Sequence, residues 1–170
     1  MQTRTGIVTF AGRPVTLVGP DVAEGAALPA FELLANDLTL VRSPELRGRG
    51  VLLNVVPSLD TGVCSAQTKR FNEELEALPG GVEVITVSAD LPFAQARFAA
   101  VEKIRHRILS DHREMSFGNA LGLAIQELRL LTRAIVVANR DGMITYREIV
   151  PEITHHPNYP AALAAARSAG

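Results

Sequence analysis

A chain of 170 residues with 47% hydrophobic and 21% charged residues is long enough to bury a core and too apolar to be disordered. Seventeen Lys and Arg against eighteen Asp and Glu leave a formal charge of −1, which supplies no general pull toward nucleic acid or anionic membranes. Trp is absent and aromatic residues are only 5%, which also removes a base-stacking platform.

The stretch from Met1 to Gly19 contains no unbroken apolar run, so it does not read as a signal peptide, and no run reaches the ~18 residues of a membrane-spanning helix. The single cysteine, Cys64, excludes a disulfide within the chain and a cysteine-based zinc site, and its plain reading is a reducing, cytoplasmic compartment. Ile7, Val8 and Phe10, then Ala11-Gly12-Arg13-Pro14, then Val15, Leu17 and Val18 predict an N-terminal hairpin. After a connector from Pro20 to Pro29, Phe31–Leu34 and Leu38–Val41 read as short strands around Asn36-Asp37. Val51–Val56 is a near-continuous apolar run closed by Pro57, the pattern of a strand buried on both faces.

A helix follows Pro57, with Phe71, Leu75 and Leu78 at helical spacing and Pro79-Gly80-Gly81 as its stop. Val82–Val87 is the next buried strand. A second helix runs from Pro92 to about Arg105, with Phe93, Ala96, Phe98 and Val101 expected on its packed side. Ile108–Ser110 reads as a short strand and Ser116–Leu121 as a short helix. Leu131–Val137 and Met143–Ile149 form a hairpin across Asn139-Arg140-Asp141-Gly142, an Asp-Gly turn signal. An Ala-rich helix runs from Tyr159 toward Arg167. Strands alternating with helices give an α/β class, and no linker or repeat divides residues 1–170 into more than one domain.

Cys64 falls where chemistry is favoured. A buried strand ends at Pro57, a few residues turn, and the cysteine sits in the opening turn of a helix, where free N–H groups and the positive end of the dipole favour thiolate over thiol. A buried, inert cysteine is the other reading of the same position.

The string Pro57-Ser58-Leu59-Asp60-Thr61-Gly62-Val63-Cys64 resembles the Pro-x-x-x-Thr-x-x-Cys motif of the peroxiredoxins, thiol peroxidases that reduce hydroperoxides. The longer PSLDTGVCSAQTKRFN, with SADLPFAQARF, ILSDHREMSFG and LTRAIVV in order along the chain, is similar to their thiol peroxidase branch. The resemblance implies a thioredoxin-like fold with a central mixed sheet, no cofactor, a homodimer, and thioredoxin or another thiol as reductant. It implies that the Cys64 thiolate attacks the peroxide oxygen in line and becomes a sulfenic acid. Thr61 would hydrogen-bond thiolate and peroxide, Pro57 would shield the sulfur, Arg133 would supply positive charge, and N–H groups at the helix start would hold the peroxide. Arg133 opens an apolar run, where it is either a solvent-exposed strand-end residue or a buried cation in need of an anion such as the thiolate.

Acidity alone does not make such an enzyme. Moving a thiol from ~8.5 to ~6 raises its thiolate fraction at neutral pH only about thirtyfold, and nucleophilicity falls with the same shift. Most of the acceleration has to come from holding the peroxide in line and stabilising the departing oxygen.

The chain departs from the family pattern where a resolving cysteine would follow Arg97-Phe98, because Ala99 stands there. That leaves either a peroxidase resolved by an external thiol or a chain whose resolving cysteine has been replaced. Two other functions compete. Cys64 to Arg70 satisfies the Cys-x5-Arg spacing of phosphatase and arsenate reductase loops, although its intervening residues favour helix and Phe71 follows. A thioredoxin-like binding module with an incidental cysteine is the second. His106, His112, His155 and His156 are scattered without metal-ligand spacing and read as surface residues, while Asp60 and Asp90 read as caps and turns.

Overall fold

The structure, a computed structural model, describes residues 1–170. In chain order it runs β1 (Thr3–Phe10), β2 (Arg13–Val18), β3 (Glu32–Leu34), β4 (Leu40–Arg42), β5 (Gly50–Val55), α1 (Gly62–Glu73), β6 (Val82–Ser88), α2 (Pro92–Glu102) and β7 (Arg107–Ser110). It continues with α3 (Ser116–Leu121), β8 (Ala124–Ile125), β9 (Leu130–Leu131), β10 (Ala134–Ala138), β11 (Ile144–Ile149) and α4 (Tyr159–Ala169).

The central sheet has seven strands in the order β11-β10-β5-β6-β7-β3-β4. Two helical crossovers, α1 and α2, make β5, β6 and β7 parallel, and the remaining pairs are antiparallel, so the sheet is mixed. All six residues of β5 are buried, as its apolar run requires. Val51, Leu53 and Val55 enter a 19-residue core on one face of the sheet. Leu52 enters a second core of ten residues on the other face, with Phe71, Leu78 and Leu163. Asn54 is the polar exception in this strand.

A smaller antiparallel sheet, β1-β2-β8-β9, packs Val8, Val15 and Leu17 against Ile125 and Ile153. The N-terminal hairpin is therefore paired into the body of the molecule. The β10–β11 turn closes on Asn139, whose Oδ1 accepts the N–H groups of Asp141 at 3.1 Å and Met143 at 3.0 Å. Gly142 there has φ +76°, a left-handed conformation that explains the Asp-Gly signal.

Three expectations need correction. The strand expected over Leu131–Val137 is two strands: Leu131 belongs to the small sheet, and β10 begins only after Thr132 and Arg133. The expected packed side of α2 is wrong in part, since Phe93 is 65% and Val101 71% exposed while Pro92 and Gln95 are buried. Gln95 can lie inside because its Nε2 donates to Ser88 Oγ at 2.9 Å and to the Leu109 carbonyl at 3.0 Å. The helix also stops at Glu102, where Lys103 takes a left-handed conformation, short of Arg105.

Candidate active site

The chain leaves β5 in the middle of the sheet, passes buried Pro57, and enters α1 with Thr61 as N-cap. Gly62, Val63 and Cys64 are the first three helical residues, whose N–H groups have no carbonyl a turn earlier to bind. The connecting loop is fastened by Asp90. Its carboxylate accepts Ser58 Oγ at 2.7 Å, the Leu59 N–H at 2.8 Å and Ser88 Oγ at 2.7 Å. Asp90 thus takes the turn-stabilising role its residue type suggested, and it does so for the loop that carries the Pro/Thr/Cys motif.

Cys64 is 0% exposed and packs with Val56, Leu59 and Ile108, against which Phe98, Ala99 and Ile104 also lie. Ala99, the residue at the expected resolving position, is therefore beside the cluster that holds the sulfur. Arg133 stands where the chain crosses from the small sheet to the large one, and it is only 2% exposed, so the solvent-exposed reading of this arginine is excluded. Its Nη2 lies 3.2 Å from Cys64 Sγ, its Nη1 donates to Gln67 Oε1 at 2.6 Å, and its Nε donates to the Ile153 carbonyl at 2.7 Å. No carboxylate is among these contacts. A buried guanidinium whose other partners are a carbonyl and an amide lacks a counter-charge, and the Cys64 sulfur is the remaining group in contact with it.

Thr61 lines the site, but its hydroxyl donates to the Ser58 carbonyl at 3.0 Å and not to the sulfur, which corrects the contact expected of it. Pro57, Thr61, Gly62, Val63 and Arg133 form one side of a cavity of about 330 Å³. Phe10, Ile125, Leu128, Leu130 and Ile153 make the rest of its wall mostly apolar. Phe10 reaches it from the tip of the N-terminal hairpin. Glu152 pins that tip by accepting Thr9 Oγ1 at 2.6 Å and the N–H groups of Ala11 and Gly12 at 2.9 and 3.0 Å. The Thr9 hydroxyl and Gly12 amide hold the Glu152 carboxyl well below the usual carboxylate range.

Gln67 was not among the residues singled out from the sequence. A lone glutamine on a helix ordinarily faces water, and its only signal is its position three residues after the cysteine, one turn along the same face. Arg70 does not close a phosphate loop: Cys64 to Arg70 is helical throughout, and Arg70 pairs with Glu74 at 3.1 Å on the outside of α1. The amides from Ser65 to Arg70 are committed to the helix, so they cannot wrap a phosphate.

His155 and His156 are exposed as expected, whereas His106 is half-buried. Its Nε2 meets Thr86 Oγ1 at 2.8 Å, its Nδ1 is buried without a partner, and burial lowers the imidazole to about 4. The unfolded chain then binds more protons than the native one between about 4 and 6.5, so stability rises with pH across that window. Asp111, which burial raises to about 6, acts in the opposite direction over the overlapping range. It is common to wild type and a His106→Gln variant, and cancels between them. The stability difference between the two, from urea unfolding, should shrink by up to about 1.4 kcal/mol per pH unit as pH falls from 6.5 toward 4. A difference that stays constant over that range would contradict a neutral, buried His106.

Residues 23–163 match the redoxin family. The chain is 52% identical over 163 residues to a thiol peroxidase of Halalkalibacterium halodurans, covering 95% of this chain and 98% of that one. It is 49% identical over 162 residues to a thiol peroxidase of Bacillus subtilis, with 95% and 96% covered. Its structure superposes on a peroxiredoxin-like protein from Aquifex aeolicus with a TM-score of 0.90 at 35% identity, covering 98% of both chains. With a thioredoxin-like α/β fold, a lone cysteine opening α1, and this identity along nearly its whole length, the chain belongs to the redoxin family and, within it, to the thiol peroxidase branch of the peroxiredoxins.

Proposed function

We propose that the protein reduces hydrogen peroxide and organic hydroperoxides at Cys64, with residues 1–170 acting as one peroxiredoxin domain. The observation that carries this reading is the Arg133 guanidinium 3.2 Å from the sulfur with no carboxylate on it. The thiolate attacks one peroxide oxygen; the S–O bond forms as the O–O bond breaks. The sulfur loses two electrons and becomes a sulfenic acid, and the departing oxygen takes a proton and leaves as water or alcohol. Arg133 and the N–H groups of Gly62, Val63 and Cys64 are placed to stabilise charge on the reacting oxygens, Pro57 keeps water from the sulfur, and Thr61 orients the loop from which the peroxide enters. The mostly apolar cavity favours an organic substituent on the peroxide.

A sulfenic acid with no second cysteine in the chain is resolved from outside. A thiol attacks the oxidised sulfur, water leaves, and a second thiol releases Cys64 from the mixed disulfide. Thioredoxin or another dithiol in a reducing, cytoplasmic compartment meets that need, and the homodimer implied by the family resemblance is part of the same reading. Peroxide consumption with a supplied dithiol, together with the protein mass after one equivalent of peroxide, tests it. The expected results are turnover and a gain of one oxygen atom, or of one reductant molecule. Oxidation of the folded thiol no faster than that of free cysteine overturns the proposal.

A further inference from the structure

From Arg133 through Gln67 to Asn54 the polar network behind the sulfur admits one arrangement of donors and acceptors, and it ends on a residue that touches neither sulfur nor cavity. A guanidinium only donates, so the group 2.6 Å from Arg133 Nη1 must be the oxygen of the Gln67 amide. The Gln67 nitrogen therefore points the other way, where it donates to Asn54 Oδ1 at 2.5 Å. Asn54 must then turn its own nitrogen to the hydroxyls of Thr68 and Thr86, at 3.3 and 2.8 Å. Those hydroxyls accept from Asn54; Thr68 donates onward to the Cys64 carbonyl at 2.9 Å, and Thr86 Oγ1 also meets His106 Nε2 at 2.8 Å.

Asn54, Gln67, Thr68 and Thr86 are all 0% exposed, so water offers no substitute partner. Asn54 can serve both sides because it sits in the middle of β5, opposite Thr86 in the parallel register with β6 and facing α1. Its neighbours Leu52, Leu53, Val55 and Val56 show that an apolar residue would suit the strand, and a buried amide is costly where nothing requires it.

We propose that Asn54 is a positioning residue for the peroxide reaction: by fixing the amide orientation of Gln67 it holds the Arg133 guanidinium against the Cys64 sulfur. The inference rests on the reading that Arg133 and Cys64 act together on peroxide. Without Asn54 the Gln67 amide can present its nitrogen to Arg133, which sets donor against donor and pushes the guanidinium off the sulfur.

The test is a double-mutant cycle of Asn54→Ser with Gln67→Met, repeated with Asn54→Leu, which fills the space without polar atoms, in case the serine variant does not fold. Urea unfolding verifies each variant, and two rates are read: alkylation of Cys64 by iodoacetamide at pH 6, and oxidation of Cys64 by hydrogen peroxide. The Asn54 substitution should slow both by about tenfold when Gln67 is present and by less than about twofold in the Gln67→Met background, where no amide is left to orient. An equal factor in the two backgrounds, or a folded Asn54 variant with unchanged rates, overturns the inference. Wild-type protein inert to peroxide but showing the alkylation coupling would sink the peroxidase reading and leave the positioning role standing.

Discussion

Arg133→Met should lower the rate constant for oxidation of Cys64 by hydrogen peroxide by about 10²–10³-fold, the loss seen when a single preorganised donor to a developing oxyanion is removed. The substitution removes the one cation in contact with the sulfur and leaves the sulfur buried among Val56, Leu59 and Ile108. Stability should change much less. Gln67 Oε1 and the Ile153 carbonyl lose a donor, at about 1–3 kcal/mol each, but the cost of keeping a guanidinium dry disappears as well. Arg133→Lys should lie close to the methionine variant, because one ammonium cannot reach sulfur, amide and carbonyl in three directions at once. Stopped-flow oxidation and urea unfolding of the same samples separate the two effects. A rate within threefold of wild type would show that the guanidinium is a structural strut and no more.

Asp90→Ala should lower the unfolding free energy by about 3 kcal/mol and slow the reaction with peroxide about tenfold. The carboxylate is the shared acceptor of Ser58, the Leu59 N–H and Ser88, and through Ser88 it is linked to Gln95 of α2. Hydrogen bonds to a charged acceptor count for more than neutral ones, and here three of them converge on the segment between Pro57 and Thr61. Hydrogen exchange at the Leu59 amide reports the loosening directly. Unchanged protection at Leu59 with a stability cost below about 1 kcal/mol would mean the loop is held by other contacts.

The parts of this molecule that were legible in its sequence are those set by backbone and hydrophobic pattern. Val51–Val56 and Val82–Val87 could only be interior strands, and they are found one residue from the expected bounds or less. Cys64 was legible because strand, proline and helix start locate it without knowledge of the fold. What escaped is set by polar pairing in three dimensions. Gln67 is buried because partners on other elements satisfy its amide, and Gln95 because its Nε2 finds two acceptors on β6 and β7, while Phe93 and Val101, apolar by type, face outward from α2. The break at Thr132-Arg133 belongs to the same class: the Thr132 N–H goes to Leu123 and the Arg133 carbonyl takes the Val150 N–H, bonds made across two sheets. Strands as short as β8 and β9 carry no periodicity at all.

The complete enclosure of Cys64 bears on how the enzyme is recycled. A close-packed interior makes no allowance for an added atom, and the oxygen that sulfur gains has to displace some of the side chains around it. In the peroxidase reading that crowding falls where the first turn of α1 meets Val56 and Leu59. A thiol from outside reaches the sulfur only where those side chains give way.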